Sequence, residues 1–469
     1  MENVLLLLIT VPLIGCLFVL FAKKDDQNAF YVTLLSLTAN FAVVLRLLSQ
    51  MNYQDGDIQY RYVYDWLESA HIKFSLGVDL FSLIVLMGVH LALLIGCIGL
   101  DEVQRKSKFL LMLTLYFCWN ISGFFISEDM FSFYMFFAGM LLPLLMLVGK
   151  YGQVKKSANL YLFFIFNFVG ILCFFAALLV IYRFYHSNVA LKDMALVKMP
   201  HRTLLMVWLS ICAAFVSRVP IWPFHYWLSS INAGIKNPVV SVIINLLPLT
   251  GVYGLMRFWE LTIPRGIVSL VPVMVMFGVI TMIFVALIGT AHKDFMQKLF
   301  SYTCVYYLLF LLTSVLLADD YKINIAYSLF TFLIVNSSLL VLDLQTEAAS
   351  SANDLDYRGI LCYMPRLAKI MAFFVLIAVG LPISSLFWNN FVLISALFKE
   401  NFFFGTAVMA SVGMVSMALL YELFMMRGAY LIKPENMAVE DVSDKEAIFF
   451  MVIISLVFLS FFNPLWVGF

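Results

Sequence analysis

A cation, two prolines and a histidine lie together where one of the long apolar runs of this chain is interrupted. Arg218 ends a nearly unbroken apolar stretch, and Pro220, Pro223 and His225 follow closely. A guanidinium keeps its charge at physiological pH. Inside such an apolar run it must therefore meet an anion or a carbonyl oxygen. Arg218 would therefore either act as a gate or fixed charge facing a partner acid or a transported anion, or cap carbonyls freed near Pro220. His225 would either shuttle protons or hydrogen-bond within the break.

Other polar residues lie inside apolar runs, and they could hold water or bind an ion. Asn245, Asn336 and Asn390 would either bind water or a coupling ion weakly, or form hydrogen bonds between helices. Asp343 is predicted to be an end-of-helix acid near the lipid headgroups, and Glu422 is given no role. By this interpretation Arg218 is the only basic residue without an easy route to water.

Composition places these residues in a membrane protein. The 469 residues are 63% hydrophobic and 12% charged, with a net charge of +1, which excludes an ordinary soluble domain and argues against nucleic-acid binding. The seven cysteines form no CxxC motif and no Cys/His cluster, so they are interpreted as apolar packing residues rather than disulfides or metal ligands. The sequence has no nucleotide-binding, nucleophile or metal motif, and it predicts no cofactor bound by this chain itself.

Fourteen apolar runs are long enough to be membrane-spanning helices. They cover residues 3–22, 30–50, 76–100, 108–126, 129–149, 158–186, 203–228, 237–258, 268–291, 296–317, 323–344, 367–398, 403–426 and 446–466. The chain is therefore predicted to be an all-α membrane protein with about 14 transmembrane helices.

Two of the runs are too long for a simple span and contain proline. They are 203–228, with Pro220 and Pro223, and 367–398, with Pro382. Similar broken helices in two halves are typical of transporters built from repeats. The pattern predicts a first five-helix repeat at 108–258 and an inverted second repeat at 268–426. An N-terminal three-helix flank at 1–107 and a C-terminal loop and helix at 427–469 would complete the chain.

Loop charges predict the orientation. With fourteen spans, most loop lysines and arginines fall in one of the two alternating sets of loops, which includes Lys155, Lys156, Lys298, Arg366 and Lys369. Basic loops face the cytoplasm or the mitochondrial matrix, so both termini are predicted on the non-cytoplasmic side of a bacterial or mitochondrial inner membrane.

Several short motifs, taken in order, resemble a known family. They are G-V-D at 77–79, S-L at 82–83, V-P at 219–220, P-F-H at 223–225, W-L at 227–228, S-V-I at 241–243, T-G-V-Y-G-L at 250–255, R-F at 257–258, and L at 299 with S-Y-T at 301–303. This pattern resembles the antiporter-like proton-translocating subunits of respiratory complex I, in the subunit M or mitochondrial subunit 4 branch. Relatives occur in Mrp antiporters and membrane-bound hydrogenases.

The resemblance implies a row of ionisable residues at the membrane midplane, and this chain departs from it. The fifth-helix glutamate falls on Ala138, aligned on M-L-L-P at 140–143, and the seventh-helix lysine falls on Arg218. The eighth-helix lysine falls on Leu249, the eleventh-helix histidine near Asn336, and the twelfth-helix ionisable residue on Asn390. Arginine does not readily release its proton, whereas a buried lysine can. A degenerate midplane relay is therefore predicted.

Three functions stay open at this point. The chain is a transport subunit of a complex I-type assembly that moves protons or supports their movement, with any redox chemistry in other subunits. Alternatively, it is a non-conducting structural or docking subunit, or a membrane partner in a proton-driven cation antiporter or inorganic-carbon uptake complex. Its expected partners are other membrane subunits and lipid, without nucleic acid.

Overall fold

The computed structural model describes most of the chain and is mainly helical. The described residues are 2–23, 27–52, 58–67, 72–152, 157–185, 190–191, 199–222, 225, 227–228, 231, 234–262, 271–317, 321–353, 360–382, 384–427 and 441–461. The elements in chain order are α1 Glu2–Phe21, α2 Asn28–Gln50, β1 Gln59–Leu67, β2 Ile72–Val78, α3 Leu80–Ile98, α4 Glu102–Arg105, α5 Lys108–Ile126, α6 Met130–Gly139, α7 Leu141–Tyr151, α8 Ser157–Tyr185, α9 His201–Val216, α10 Pro238–Thr262, α11 Val271–Ala291, α12 Phe295–Leu316, α13 Lys322–Asn353, α14 Ile360–Tyr363, α15 Pro365–Val379, α16 Ser385–Glu400, α17 Phe402–Arg427 and α18 Asp444–Phe461.

The prediction of a helical membrane protein is confirmed. Within the described residues, eleven segments are long and apolar enough to cross a bilayer. They are Val4–Phe21, Asn28–Gln50, Leu80–Ile98, Lys108–Ile126, Met130–Tyr151, Tyr161–Phe184, Pro238–Trp259, Val271–Ala291, Phe295–Leu316, Lys322–Ala349 and Phe402–Met426.

Four helices form the centre of the bundle. Helices α3, α10, α12 and α13 are buried almost all round, whereas α1, α2, α8, α11 and α17 keep a broad exposed face. A helix that is apolar on every side can be buried completely, which explains why these four pack against one another. The candidate site residues therefore lie where several helices meet.

A two-stranded antiparallel hairpin corrects the all-α prediction. Strands β1 and β2 pair from Gln59 with Val78 to Leu67 with Ile72. The run predicted as helical from residue 76 is extended through Val78, and α3 begins after Asp79, whose carboxylate accepts from the Ser82 backbone amide at 3.0 Å. The signal was the density of tyrosine, valine and tryptophan in 59–67, which favours strand over helix.

Both proline-containing runs are broken in the structure. Helix α9 ends at Val216, and Ile221 donates to the Val219 carbonyl in a turn that includes Pro220. Pro223 and Phe224 lie outside the described residues. Helix α15 ends at Val379 and is followed by Gly380, whose φ of 103° favours glycine, and Ser384 caps the start of α16.

A third interruption was missed. The predicted run 129–149 is two helices, α6 and α7, that meet at Met140. Pro143 has no backbone N–H, so it cannot donate to the Gly139 carbonyl. The chain therefore has an irregular backbone close to Arg218 on α6–α7 as well as on α9.

Candidate functional site

The Arg218 guanidinium is fully buried, and neutral groups surround it. Its Nη2 donates to the Phe137 carbonyl at 2.7 Å, and its Nη1 donates to Thr250 Oγ1 at 3.1 Å. Nη1 also lies 3.6 Å from Met140 Sδ, and the Arg218 Cζ lies 3.6 Å from the centroid of the Phe137 ring. These contacts join α6, α9 and α10 through one side chain.

The helix break at Met140 explains part of this arrangement. Phe137 lies in the last turn of α6, where carbonyls lose their helical partners. Arg218 supplies a charged donor to one such carbonyl, and a hydrogen bond to a charged group is stronger than a neutral one. Of the two interpretations, capping of freed carbonyls matches the contacts, although the carbonyl lies at Phe137 rather than near Pro220.

Helix α10 approaches the break closely because Gly251 has no side chain. A Cβ at Gly251 would lie 2.7 Å from the Phe215 carbonyl oxygen and 3.2 Å from Arg218 Cβ. Thr250, its neighbour, can therefore reach the guanidinium.

No described carboxylate pairs with Arg218. Its Nε has no hydrogen-bond partner among the described residues. A carbonyl, a hydroxyl and an aromatic face therefore take the place of a counter-ion here.

His225 lies in the turn after the break but does not contact Arg218. Its ring is half-buried and meets the Phe284 ring edge-on, with centroids 5.6 Å apart. Its Nδ1 is buried without a partner among the described residues. The structure therefore does not bring the two residues into one hydrogen-bond network.

Helix α12 contacts all three predicted asparagines, which lie on three different helices. Tyr307 donates to the backbone carbonyl of Asn245 on α10 at 2.7 Å. Thr303 donates to Asn336 Oδ1 on α13 at 3.0 Å.

The third contact of α12 is with α16. Asn390 Nδ2 donates to Tyr306 Oη at 3.2 Å, and Ser328 Oγ lies 3.4 Å from Asn390 Oδ1. Hydrogen bonding between helices is therefore the interpretation that fits Asn336 and Asn390. Asn245 differs, because its Nδ2 donates to Ser241 within α10 and its Oδ1 has no partner among the described residues.

A buried ion pair was missed by sequence reasoning. The Lys298 ammonium on α12 pairs with the Glu422 carboxylate on α17, and their side chains are 3% and 4% exposed. The sequence places Lys298 among the cytoplasmic loop residues and assigns Glu422 no role, so the prediction that only Arg218 lacks a route to water is wrong. A carboxylate inside the run 403–426 was the available signal, because a buried acid must find a partner.

A second missed pair connects the hairpin to α10. Arg257 Nη2 donates to Asp79 Oδ1 at 2.6 Å, and its Nε donates to Tyr253 Oη at 2.9 Å. Burial raises the pKa of the Asp79 carboxyl, but the charge and hydrogen bonds of Arg257 outweigh it and leave that pKa below its ordinary value.

Residues 127–417 match the model of a family described as "NADH:quinone oxidoreductase/Mrp antiporter, TM". This match covers more than half of the chain. The chain belongs to this family.

The similar curated members of the NADH:quinone oxidoreductase/Mrp antiporter family are respiratory subunits. NADH-quinone oxidoreductase subunit M of Rickettsia prowazekii is 27% identical over 87% of this chain and 84% of its own length. Subunit M of Rhodobacter capsulatus is 23% identical over 98% and 93%, and NADH-ubiquinone oxidoreductase chain 4 of Marchantia polymorpha is 24% identical over 87% and 83%.

Two solved structures share the fold at low identity. A chain of respiratory complex I from Thermus thermophilus matches with a TM-score of 0.85 at 20% identity, over 97% of this chain and 95% of the other. A chain of an archaeal membrane-bound sulfane sulfur reductase matches with a TM-score of 0.84 at 15% identity, over 99% and 76%. The family membership, the helical fold and the motif resemblance therefore agree.

Two positions of the predicted row lie next to residues that Arg218 contacts. Ala138 directly follows Phe137, which accepts a hydrogen bond from Arg218, and Leu249 directly precedes Thr250, which accepts another. Neighbours of these two predicted positions thus supply acceptors for the guanidinium.

Proposed function

We propose that this chain is the subunit M-type, antiporter-like component of a complex I-type respiratory assembly, and that it supports proton translocation with a degenerate midplane relay. Family membership and the curated relatives support the assembly. The Arg218 site supports the degenerate relay, because a buried guanidinium bound to a carbonyl and a hydroxyl can neither donate a proton readily nor pass one to a neighbouring acid. Redox chemistry would belong to other subunits, and lipid and further membrane subunits would surround the chain.

The proposed architecture has fourteen crossings, with two inverted five-helix repeats at 108–258 and 268–426. Each of the fourteen predicted runs contains a described helix, and the runs 129–149 and 367–398 each contain two, which supports this proposal. The flanks at 1–107 and 427–469 would lie outside the repeats, and both termini would face the non-cytoplasmic side. This arrangement places one broken helix, α9 or α15–α16, in each repeat.

Within this architecture, Arg218 is proposed to be a fixed cation that holds α6, α9 and α10 together. Its neutral acceptors and the lack of an acidic partner among the described residues carry this assignment. His225, Asn245, Asn336 and Asn390 are proposed to be polar groups along the interior that orient helices and hold water.

The test uses the native assembly reconstituted in liposomes, with proton uptake and electron transfer measured together. Arg218→Lys supplies a cation that can release its proton, and Arg218→Met supplies none. If Arg218 is a fixed structural cation, any variant that assembles keeps the wild-type number of protons moved per electron. A variant that assembles and transfers electrons normally, but moves fewer protons, would contradict the assignment.

A second function, as a non-conducting docking subunit, is favoured by the asparagines. Tyr306 and Thr303 engage Asn390 and Asn336 in neutral hydrogen bonds, and neither amide can be ionised. Substituting either asparagine with leucine would then leave proton translocation unchanged in an intact assembly. A reduced proton-to-electron ratio in Asn336→Leu or Asn390→Leu would favour the transport function over the docking function.

A further inference from the structure

An open pocket of about 650 Å³ lies where the end of α1 meets α4, the start of α5 and the end of α7. Sites for small molecules have volumes of about 300–1,000 Å³, so this pocket is large enough for a ligand. Leu20 and Val103 line it and are 54% and 80% exposed, which means that it opens to the surroundings of the protein. Its lining includes none of the residues that contact Arg218.

Three lysines line the pocket without a counter-charge. They are Lys106, Lys108 and Lys150, and no acidic residue is among the described lining residues. Lys106 and Lys150 are exposed, and none of the three lysines forms an ion pair with the part of the chain that the structure describes. Like charges gathered at one concave surface attract an anion. The pocket therefore has the electrostatics of an anion site.

Lys108 also covers the groups that would repel an anion. Its ammonium donates to the backbone carbonyl of Leu20 at 3.1 Å and to that of Ala22. These carbonyls lie at the C-terminal end of α1, where the helix dipole places partial negative charge. Because an ammonium has three donors, Lys108 can bind both carbonyls and still offer one donor to a ligand.

The Lys150 ammonium lies over an aromatic ring of the same pocket. It is 4.4 Å from the centroid of the Phe109 ring and 5.4 Å from that of Tyr151. Tyr151 Oη and Ser107 Oγ are 3.0 Å apart, and this contact joins the end of α7 to the start of α5. A ring face attracts a cation but supplies no counter-ion, so the positive charge of Lys150 remains available to an anion.

Apolar side chains form the rest of the pocket. Val19, Phe109 and Met112 line it. An exposed apolar surface continues from there along α1 through Leu17 and Phe18, which are both more than half exposed. A soluble anion would gain nothing from these side chains, whereas an acyl chain would remove their apolar surface from water. The ligand that fits both parts of the pocket is therefore amphipathic.

The pocket lies at one boundary of the membrane-crossing segments. Two segments that are long and apolar enough to cross a bilayer end at Phe21 and Tyr151, and a third begins at Lys108. Lysine side chains at the ends of such segments reach the headgroup region. Basic pockets between helices at this level bind phospholipid headgroups.

We propose that this pocket binds one anionic phospholipid, with its phosphate among Lys106, Lys108 and Lys150 and an acyl chain along the exposed face of α1. The bound lipid would join the predicted N-terminal flank to the first predicted repeat, because α1 belongs to the flank and α5 and α7 belong to the repeat. Binding does not require this chain to conduct protons.

The test uses the native assembly in phosphatidylcholine liposomes that contain a small share of a photoreactive lipid. The probe carries a diazirine on one acyl chain and has either an anionic phosphatidylglycerol or a zwitterionic phosphatidylcholine headgroup. Peptide mass spectrometry gives the ratio of labelling by the two probes at the end of α1 and the start of α5. We expect this ratio to exceed the ratio at the exposed Met417 of α17 by about fivefold or more, as expected for a site where a lysine contacts the headgroup.

Charge variants test whether the lysines select the headgroup. Lys106→Gln combined with Lys150→Gln removes two positive charges and keeps the contacts of Lys108 with α1, so the ratio should fall to the α17 value. Lys106→Arg combined with Lys150→Arg keeps both charges and should keep the preference. The matched control is Lys293→Gln combined with Lys369→Gln, which removes two exposed lysines outside the pocket and should leave the ratio unchanged.

The wild-type comparison decides the question even if a variant fails to assemble. Equal labelling of the pocket by the two wild-type probes, relative to α17, would overturn the lipid site. A ratio that Lys106→Gln with Lys150→Gln leaves unchanged would overturn it as well, since the lysines would then not select the headgroup. If both probes labelled α17 and neither labelled the pocket, another subunit would cover the pocket and the lipid site would be rejected.

Discussion

Two buried cations in this chain have opposite surroundings. Arg218 on the α9 break meets a carbonyl, a hydroxyl and an aromatic ring, whereas Lys298 on α12 meets the carboxylate of Glu422. The first cation has neutral partners, and the second has a counter-charge. Burial of a cation is therefore no guide to transport unless its partners are known.

The largest expected effect comes from separating the Lys298 pair. Glu422→Gln preserves the shape of the side chain but leaves a buried ammonium without a counter-charge, so we expect a loss of about 3–5 kcal/mol in stability. A thiol-reactive fluorescence melt of the detergent-solubilised protein measures this, because unfolding exposes buried cysteines such as Cys304. Replacing both Lys298 and Glu422 with methionine should recover most of the loss. Equal losses in the single and double variants would contradict this pairing energy.

The Arg218 site should respond less to loss of its cation. Arg218→Met removes the charge instead of stranding one, and it leaves the Phe137 carbonyl without that donor, so we expect a loss of about 1–3 kcal/mol. The same melt measures it. Arg218→Lys serves as the comparison, because lysine keeps the charge but lacks the planar fork that reaches two acceptors at once. A loss in Arg218→Met that exceeds the loss in Glu422→Gln would reverse the proposed difference between the sites.

Close packing of α10 against the α9 break gives a smaller, steric prediction. Gly251→Ala places a Cβ 2.7 Å from the Phe215 backbone oxygen, so the helices must separate, and we expect a loss of about 1–2 kcal/mol. Gly149→Ala on α7 is the control, since a Cβ there meets nothing within 4 Å. The control should be neutral or slightly stabilising, because alanine favours helix over glycine. If Gly251→Ala and Gly149→Ala changed the stability by the same amount in thermal melts, the Arg218 site would tolerate movement of α10.

The smallest effect concerns Arg257, which, unlike Arg218, forms an ion pair with a carboxylate, that of Asp79. The folded-state pKa of Asp79 is lowered, so its contribution to stability is present above the unfolded value of about 3.9 and is lost as the pH falls through the folded value. Thermal melts at a series of pH values from 7 downward should show that Tm falls more steeply with pH in the wild type than in Asp79→Asn. Parallel declines would mean that this pair does not contribute to acid sensitivity.

Much of the architecture could be predicted from the sequence because membrane helices leave a strong local signal. The runs around α9 and α15–α16 and the breaks at Pro220 and Pro382 follow from hydropathy and from the missing N–H of proline. The break at Met140 is weaker in the sequence, since Pro143 alone is compatible with a continuous span. The hairpin could not be predicted from hydropathy, because the segment 59–67 is short and only partly apolar.

The candidate site was less predictable because its contacts join distant parts of the chain. Arg218 was found from its type and position, but its acceptor Phe137 lies 81 residues away. Lys298 and Glu422 lie 124 residues apart, and Lys298 could be assigned to a loop while its helix boundary was unknown. Such pairs depend on which helix faces pack together, and the periodicity of a uniformly apolar helix does not reveal that.

The position of α12 has a mechanical consequence. Because Thr303, Tyr306 and Tyr307 hold three neighbouring helices from a single turn, a small rotation of α12 would disturb all three bonds together. Lys298 lies on the same helix, little more than one turn from Thr303. A displacement of α12 at Lys298 would therefore also move the groups that bond to α10, α13 and α16.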